Sequence, residues 1–145
     1  MTTADTGNRN SPEISLRQVS LRPGSGGGLW RIRWHVENLG RQRLQLKAAR
    51  FPHGQFRAAE QNFGRAISLD HGECGEFEAT VACDAKPGEI VENAFVIFSA
   101  TWRDNPWRIF VRLRVAVNEQ GEPAALAESI TTQRVGFSVE LGTDR

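Results

Sequence analysis

Histidine and cysteine are the side chains of this sequence best suited to metal binding, and the chain has 3 His and 2 Cys. His71, Cys74 and Cys83 are the only grouping that brings three such ligands near one another in sequence. Structural zinc sites usually combine two close ligand pairs, whereas only His71-x-x-Cys74 forms such a pair here. We therefore predict no metal site and no cofactor.

A disulfide between the two cysteines is also not expected. If Cys74 and Cys83 lie along one extended strand, their nine steps at about 3.3 Å separate them by roughly 30 Å. A disulfide requires Cα atoms within about 7 Å. We predict two free thiols, with Cys83 packed as a small apolar residue.

Nucleophilic catalysis requires a Ser, Thr or Cys beside a base, and the sequence has no Gly-x-Ser-x-Gly elbow. His35 falls on the polar side of an alternating segment, where an exposed histidine is the ordinary interpretation. His53 lies in the loop-like segment Phe51-Pro52-His53-Gly54 and is the one remaining candidate for an enzyme site. We predict that the protein has no catalytic residue and is not an enzyme.

Glu76 and Glu78 resemble a carboxylate pair, but an ion-paired surface explains them better. If their strand lies beside residues 29–37, Arg31 and Arg33 face them across the sheet. Such pairs contribute roughly 0.2–1 kcal/mol each.

A second group of arginines has no obvious acidic partner. Residues 107–117 alternate between an apolar row and a row that contains Arg108, Phe110, Arg112 and Arg114. In a hairpin with residues 93–103, the outer face would also carry aromatic and apolar side chains, and strand 43–47 would add cations. The predicted binding surface consists of Arg43, Lys47, Phe95, Ile97, Arg103, Arg108, Phe110, Arg112 and Arg114, with no acid among them.

Three explanations of this surface remain open. The C-terminal segment can cover it, with Glu122, Glu128 or Glu140 against the arginines. Another protein, or a second copy of the chain, can dock there, since Arg and aromatic residues are enriched at the centres of interfaces. Single-stranded nucleic acid can stack its bases on Phe95 and Phe110, although a pI of about 7.9 is low for that class.

The elements that would position these residues are strands. The chain of 145 residues is 39% hydrophobic and 24% charged with a formal charge of +1, which fits one ordinary globular domain and excludes a polycation. No apolar run reaches the roughly 20 residues of a membrane-spanning helix, and we expect a soluble, cytoplasmic protein without a membrane partner. Alternating segments separated by turn signals about every ten residues predict an all-β fold.

The segment Trp34-His35-Val36-Glu37-Asn38-Leu39-Gly40, followed by a Leu-x-Leu strand, resembles bacterial immunoglobulin-like domains, which often read Val-x-Asn-x-Gly there. The turn Asp70-His71-Gly72-Glu73 is similar to their Pro-Gly-Glu turn but lacks the proline. The resemblance covers residues 29–117 and implies a non-enzymatic adhesion, scaffold or accessory role. We expect an immunoglobulin-like antiparallel β-sandwich of about 7–8 strands with an extra C-terminal strand, and a small barrel is the alternative.

The chain divides into three parts in this interpretation. Residues 1–12 form a disordered tail, residues 13–118 the sandwich, and residues 119–145 a C-terminal extension. Within that extension, residues 124–129 are expected to form a helical turn and residues 135–141 a terminal strand. That strand can complete its own sheet or add to the sheet of a neighbouring copy. The function expected is an intracellular protein-binding or assembly module, with nucleic-acid binding as the alternative.

Overall fold

The computed structural model describes residues 10–136, and they form eight β-strands. No helix long and apolar enough to cross a membrane occurs within that range. In chain order the strands are β1 (Ile14–Pro23), β2 (Leu29–Asn38), β3 (Leu44–His53), β4 (Phe56–Leu69), β5 (Cys74–Cys83), β6 (Ile90–Trp102), β7 (Asn105–Val117) and β8 (Pro123–Arg134).

The eight strands belong to one sheet that curls into a nearly closed barrel, in the order β1-β2-β5-β4-β3-β6-β7-β8. Every neighbouring pair in this order is antiparallel. The all-β class is as expected, but the prediction of a two-sheet immunoglobulin-like sandwich is wrong. A sandwich and a barrel share the same alternation of inward and outward residues, so alternation alone does not separate them.

Bulges explain why the sheet curls. The register between β3 and its neighbours shifts around Lys47, and the register between β6 and β7 shifts between Val91 and Ala94. Strand β4 carries extra residues opposite β3, because Leu46 pairs with Ile67 whereas Ala48 pairs with Asn62. Each bulge bends its strand and increases the local twist, which allows one sheet to close on itself.

Of all neighbouring strands among residues 10–136, β4 and β5 have the fewest paired residues. Their register consists of Phe56 opposite Cys83 and Arg57 opposite Ala82. Farther along, side chains fill the space between the strands, and the rings of Phe63 and Phe77 lie 5.2 Å apart. Gly75 of β5 allows the close approach of β4, because a Cβ at this position would lie 2.8 Å from Cγ2 of Ile67.

The interior of the barrel is apolar and rich in aromatic rings. Trp34, Phe51 and Phe56 are buried together, with ring centroids 5.6 to 6.5 Å apart. The inward row of β7, from Ile109 to Val117, is buried as the alternation predicts. Because these residues are buried, the orientation of β7 is fixed and the residues between them face the outside of the barrel.

Among the residues that the structure describes, Asn38 is the one buried polar side chain, and it fastens one end of the barrel. Its Nδ2 donates to the carbonyls of Gln42 and Leu69, both at 2.9 Å, and its Oδ1 accepts from the N–H of Gly40 at 2.9 Å. Its backbone also bonds to the β4–β5 turn, through Gly72 and Glu73. Asn38 and Gly40 of the Val-x-Asn-x-Gly segment are therefore hydrogen-bonded to each other. Asn38 also joins the β2–β3 connection to the β4–β5 turn. We call this end, where β1 begins and β8 ends, the upper end.

Three local predictions need correction. Residues 51–54, expected to be loop-like, belong to β3 as far as His53, and of these residues only Gly54 lies in the β3–β4 turn. Residues 124–129, expected as a helical turn, lie in β8. In the predicted terminal strand 135–141, Val135 and Gly136 form a turn, and residues 137–141 lie outside the described residues.

Candidate partner-binding face

The outer surface of β6 and β7 brings the predicted aromatic and cationic residues together. Phe95 lies opposite Arg112, Ile97 opposite Phe110, and Ser99 opposite Arg108. On the far side of β7, the short polar residues Ser129 and Thr131 of β8 lie opposite Arg112 and Phe110. On this face Arg108 is exposed, whereas Phe95, Phe110 and Arg112 are half-buried.

Strand β3 adds a cation that sequence reasoning missed. Arg50 lies opposite Ile97, so one row crosses the sheet from Arg50 through Ile97 and Phe110 to Thr131. The bulge at Lys47 reverses the alternation of β3, which places Arg50 rather than Ala49 outside. The adjacent pair Ala48-Ala49 gives no contrast from which this change could be read. We define the Arg/Phe face as Arg50, Phe95, Ile97, Arg108, Phe110 and Arg112.

The bulge of β6 supplies polar partners that alternation does not reveal. Asn93 has a φ of 59°, a left-handed conformation that Asn tolerates better than most residues. Oε2 of Glu92 lies 3.1 Å from Nε of Arg114. Oδ1 of Asn93 accepts a long hydrogen bond of 3.4 Å from Arg112. The prediction of a surface without acids is therefore wrong at Arg114.

The other predicted residues are dispersed around this core. Arg43 pairs with Asp70 at 3.0 Å, and this hydrogen bond raises the pKa of Arg43. The guanidinium of Arg103 lies 5.2 Å from the centre of the Trp102 ring, at the tip of the β6–β7 hairpin. Both lie at the upper end of the barrel, and Lys47 is exposed at the β3 bulge.

None of the three cations of the Arg/Phe face, Arg50, Arg108 and Arg112, has an ion pair within residues 10–136. Arg50 and Arg108 are exposed, whereas Phe95, Ile97 and Phe110 are half-buried. The Nε of Arg112 is buried and has no hydrogen-bond partner among the described residues. The face thus combines apolar area with positive charge that these residues leave uncompensated.

The opposite wall of the barrel carries compensated charge. As predicted, β5 lies beside β2, and Glu78 bonds Arg22 and Arg31, each at 3.2 Å. Glu76 pairs with Arg33 at 3.7 Å. The hydrogen bond from Arg22 lowers the pKa of Glu78. This surface is an ion-pair ladder, as the sequence indicated.

The histidines considered for catalysis hold local structure. Nδ1 of His53 accepts a hydrogen bond from the N–H of Gln55 at 3.0 Å within the β3–β4 turn. Nδ1 of His71 donates to the carbonyl of Gly40 at 2.7 Å. His35 lies 3.5 Å from Glu76 in the ion-pair ladder.

The cysteines lie at opposite ends of β5, as predicted, and both thiols are free. Cys74 is exposed and Cys83 is buried, and burial raises the pKa of the Cys83 thiol. Between residues 10 and 136, no three His, Cys, Asp or Glu side chains cluster closely enough to hold a metal ion.

The described part of the C-terminal extension does not cover the Arg/Phe face. Strand β8 lies beside β7 in the sheet, and Glu122 bonds Asn118 in the preceding turn. Glu128 falls at the β8 register shift. Glu140 lies outside the described residues.

Comparison with known proteins assigns no family. No family model matches the chain, and no curated protein matches it. A solved structure, the X-ray structure of Northeast Structural Genomics Consortium target SoR45, is 12% identical over 88% of this chain and 87% of that chain, with a TM-score of 0.28. These comparisons add no support to the immunoglobulin-like resemblance.

Proposed function

We propose that this protein is a non-catalytic binding module whose Arg/Phe face docks a partner protein that presents acidic and apolar side chains. The observation that supports this is the row Arg50–Ile97–Phe110, in which a cation without an ion pair among residues 10–136 adjoins a half-buried apolar pair. Burying Phe110 and Ile97 under a partner removes apolar area from water. Carboxylates of the partner would compensate Arg50 and Arg108.

The contrast between the two walls supports the assignment to this face. Where arginines stabilise the barrel itself, as at Arg31 and Arg33, glutamates of the neighbouring strand meet them. Arg50 and Arg108 have no such carboxylate partner within residues 10–136, and we infer that their charge serves a ligand. Complementary charge accelerates association and selects among partners.

The test begins with peptides selected from a random library on the immobilised full-length protein. The proposal expects the enriched peptides to be acidic and to contain aromatic or aliphatic residues. Fluorescence anisotropy then measures their affinity for wild type, for the double variant Arg50→Glu/Arg108→Glu and for Phe110→Ser. We expect each variant to weaken binding about 10-fold or more, which corresponds to about 1.4 kcal/mol.

A matched control carries the same change of charge elsewhere. Arg41 and Arg65 are exposed, and Arg41→Glu/Arg65→Glu should change the affinity less than 2-fold. Equal weakening by both double variants would overturn the proposal, since only total charge would then matter. Stronger binding to a labelled oligothymidine at 50 mM salt than to any selected peptide would also overturn it, in favour of nucleic-acid binding.

A further inference from the structure

Two exposed apolar side chains lie on the outer surface of β6, β7 and β8, at the end of the barrel opposite the upper end. Among residues 10–136, the large apolar side chains that are exposed are Leu39, Ile90 and Leu126. Leu39 lies in the β2–β3 connection, whereas Ile90 is the first residue of β6 and Leu126 lies early in β8. Single exposed apolar residues are normal on a protein surface, but a group of them on one face marks an interaction site.

The strand registers place these two side chains around two alanines. Ala116 of β7 lies opposite Ile90 of β6 on one side and opposite Ala124 of β8 on the other. Leu126 follows two residues after Ala124, lies opposite the outward Arg114 and is 64% exposed. Both alanines are exposed as well. We call Ile90, Ala116, Ala124 and Leu126 the alanine patch. Its two large side chains flank two small ones, which leaves room between them for a large apolar side chain of a partner.

The alanine patch continues the Arg/Phe face along β7. The outward residues of this strand are, in order, Arg108, Phe110, Arg112, Arg114 and Ala116. Glu92 compensates the charge of Arg114, since its Oε2 lies 3.1 Å from Nε of that arginine. The outer surface of β7 therefore changes from cationic at Arg108 to neutral and apolar at Ala116. The six steps from Phe110 to Ala116 span about 20 Å at roughly 3.3 Å each.

We propose that the partner segment that docks on the Arg/Phe face also occupies the alanine patch, with carboxylates at one end and a large apolar side chain at the other. This inference rests on the proposed function and adds the direction in which the partner lies along β7. The carboxylates meet Arg108, and the apolar side chain enters between Ile90 and Leu126. An extended segment bridges the two contacts with about six residues. Burial of the apolar side chain removes apolar area of both molecules from water.

The experiment uses peptides of about 12 residues, which span roughly 40 Å when extended. They are selected from a random library on the immobilised full-length protein. We expect the enriched peptides to carry their acidic residues about six positions from a large apolar residue. Fluorescence anisotropy then measures their affinity for wild type, Leu126→Thr and Ile90→Thr. Threonine is polar but suits a strand, and thermal midpoints near that of wild type show that the variants are folded. Each variant should weaken binding about 5-fold or more.

Leu39→Thr is the matched control. Leu39 is 41% exposed, but it lies outside the outer surface of β6, β7 and β8. This variant should change the affinity less than 2-fold. A peptide shortened to its acidic half should bind wild type and Leu126→Thr equally well, because it does not reach the alanine patch.

Unchanged affinity for both Leu126→Thr and Ile90→Thr, or an equal loss for Leu39→Thr, would overturn the proposal. If Arg50→Glu/Arg108→Glu still weakens binding in that case, the Arg/Phe face binds alone and the proposed function stands. If that double variant also binds as wild type does, or if no acidic peptide is enriched, both fail. Light scattering that finds a wild-type dimer, and a monomer for Leu126→Thr, would also overturn it, because the alanine patch would then hold a second copy of the chain.

Discussion

Arg112 of β7 lies directly opposite Phe95 of β6 on the outer surface, and its Nε is buried without a hydrogen-bond partner among the described residues. Phe110, two residues away on the same strand, lies on the same side of the sheet. Nη1 of Arg112 donates a long hydrogen bond of 3.4 Å to Oδ1 of Asn93 in the β6 bulge. The pair Phe95–Arg112 lies beside the pair Ile97–Phe110, which belongs to the row that supports the proposed docking surface.

Replacing Asn38 with Ala should destabilise the protein strongly. The substitution leaves the buried carbonyl of Leu69 and the N–H of Gly40 without their side-chain partner. We expect a loss of about 2–4 kcal/mol in the free energy of unfolding, measured by urea titration. Asn62→Ala, at an exposed position of β4, should cost less than about 0.5 kcal/mol. Equal losses would show that Asn38 does not fasten the upper end.

The Glu78 ion pairs should make stability depend on pH in a defined direction. The pKa of Glu78 is lowered in the folded protein by its hydrogen bond from Arg22, so the folded state binds its proton less readily than the unfolded chain does. The stabilisation is therefore present above the ordinary glutamate pKa of about 4.3 and is lost as the pH falls through the lowered value.

Thermal midpoints of wild type and Glu78→Gln, recorded from pH 7 to pH 3, test this dependence. The difference between the two proteins should be largest near neutral pH and shrink in acid. Glu60→Gln, at an exposed glutamate of β4, should follow the wild-type curve. A difference for Glu78→Gln that stays constant over this range would contradict the assignment.

The two thiols should differ in reactivity. Cys74 is exposed, whereas burial protects Cys83 and raises its pKa, which disfavours the reactive thiolate. Maleimide labelling followed by mass spectrometry should therefore modify Cys74 alone in the native protein and both thiols after unfolding in urea. Native Cys74→Ser should remain unlabelled on the same time scale. Rapid labelling of that variant would show that the end of β5 that carries Cys83 opens in the native protein.

The sequence predicts inward and outward residues well but not the closure of the sheet. The alternation from Trp107 to Val117 identifies the buried row of β7. The position of β5 beside β2 is expected from an immunoglobulin-like strand order, and it holds although the fold is a barrel. The bulges at Lys47 and Glu92–Asn93 leave no recognisable pattern. They curl one sheet into a barrel, bring Arg50 onto the Arg/Phe face and place Glu92 beside Arg114.

The residues of the candidate site are predictable from the sequence only where strand alternation determines the direction of the side chain. Phe95, Ile97, Arg108, Phe110 and Arg112 lie together because their positions follow from alternation in one hairpin. Arg43 and Arg103 lie in turns, where side-chain direction depends on local contacts with Asp70 and Trp102. Strand alternation contains no information about those contacts.

Mapping the contact surface of a selected acidic peptide by NMR tests the docking proposal most directly. Titration into the isotope-labelled full-length protein should shift amide resonances mainly in residues 49–51, 95–99, 108–112 and 129–133. The Arg50→Glu/Arg108→Glu variant should show these shifts only at about 10-fold higher peptide concentration, or not at all. Shifts that concentrate instead on the ion-pair ladder of β2 and β5 would contradict the account.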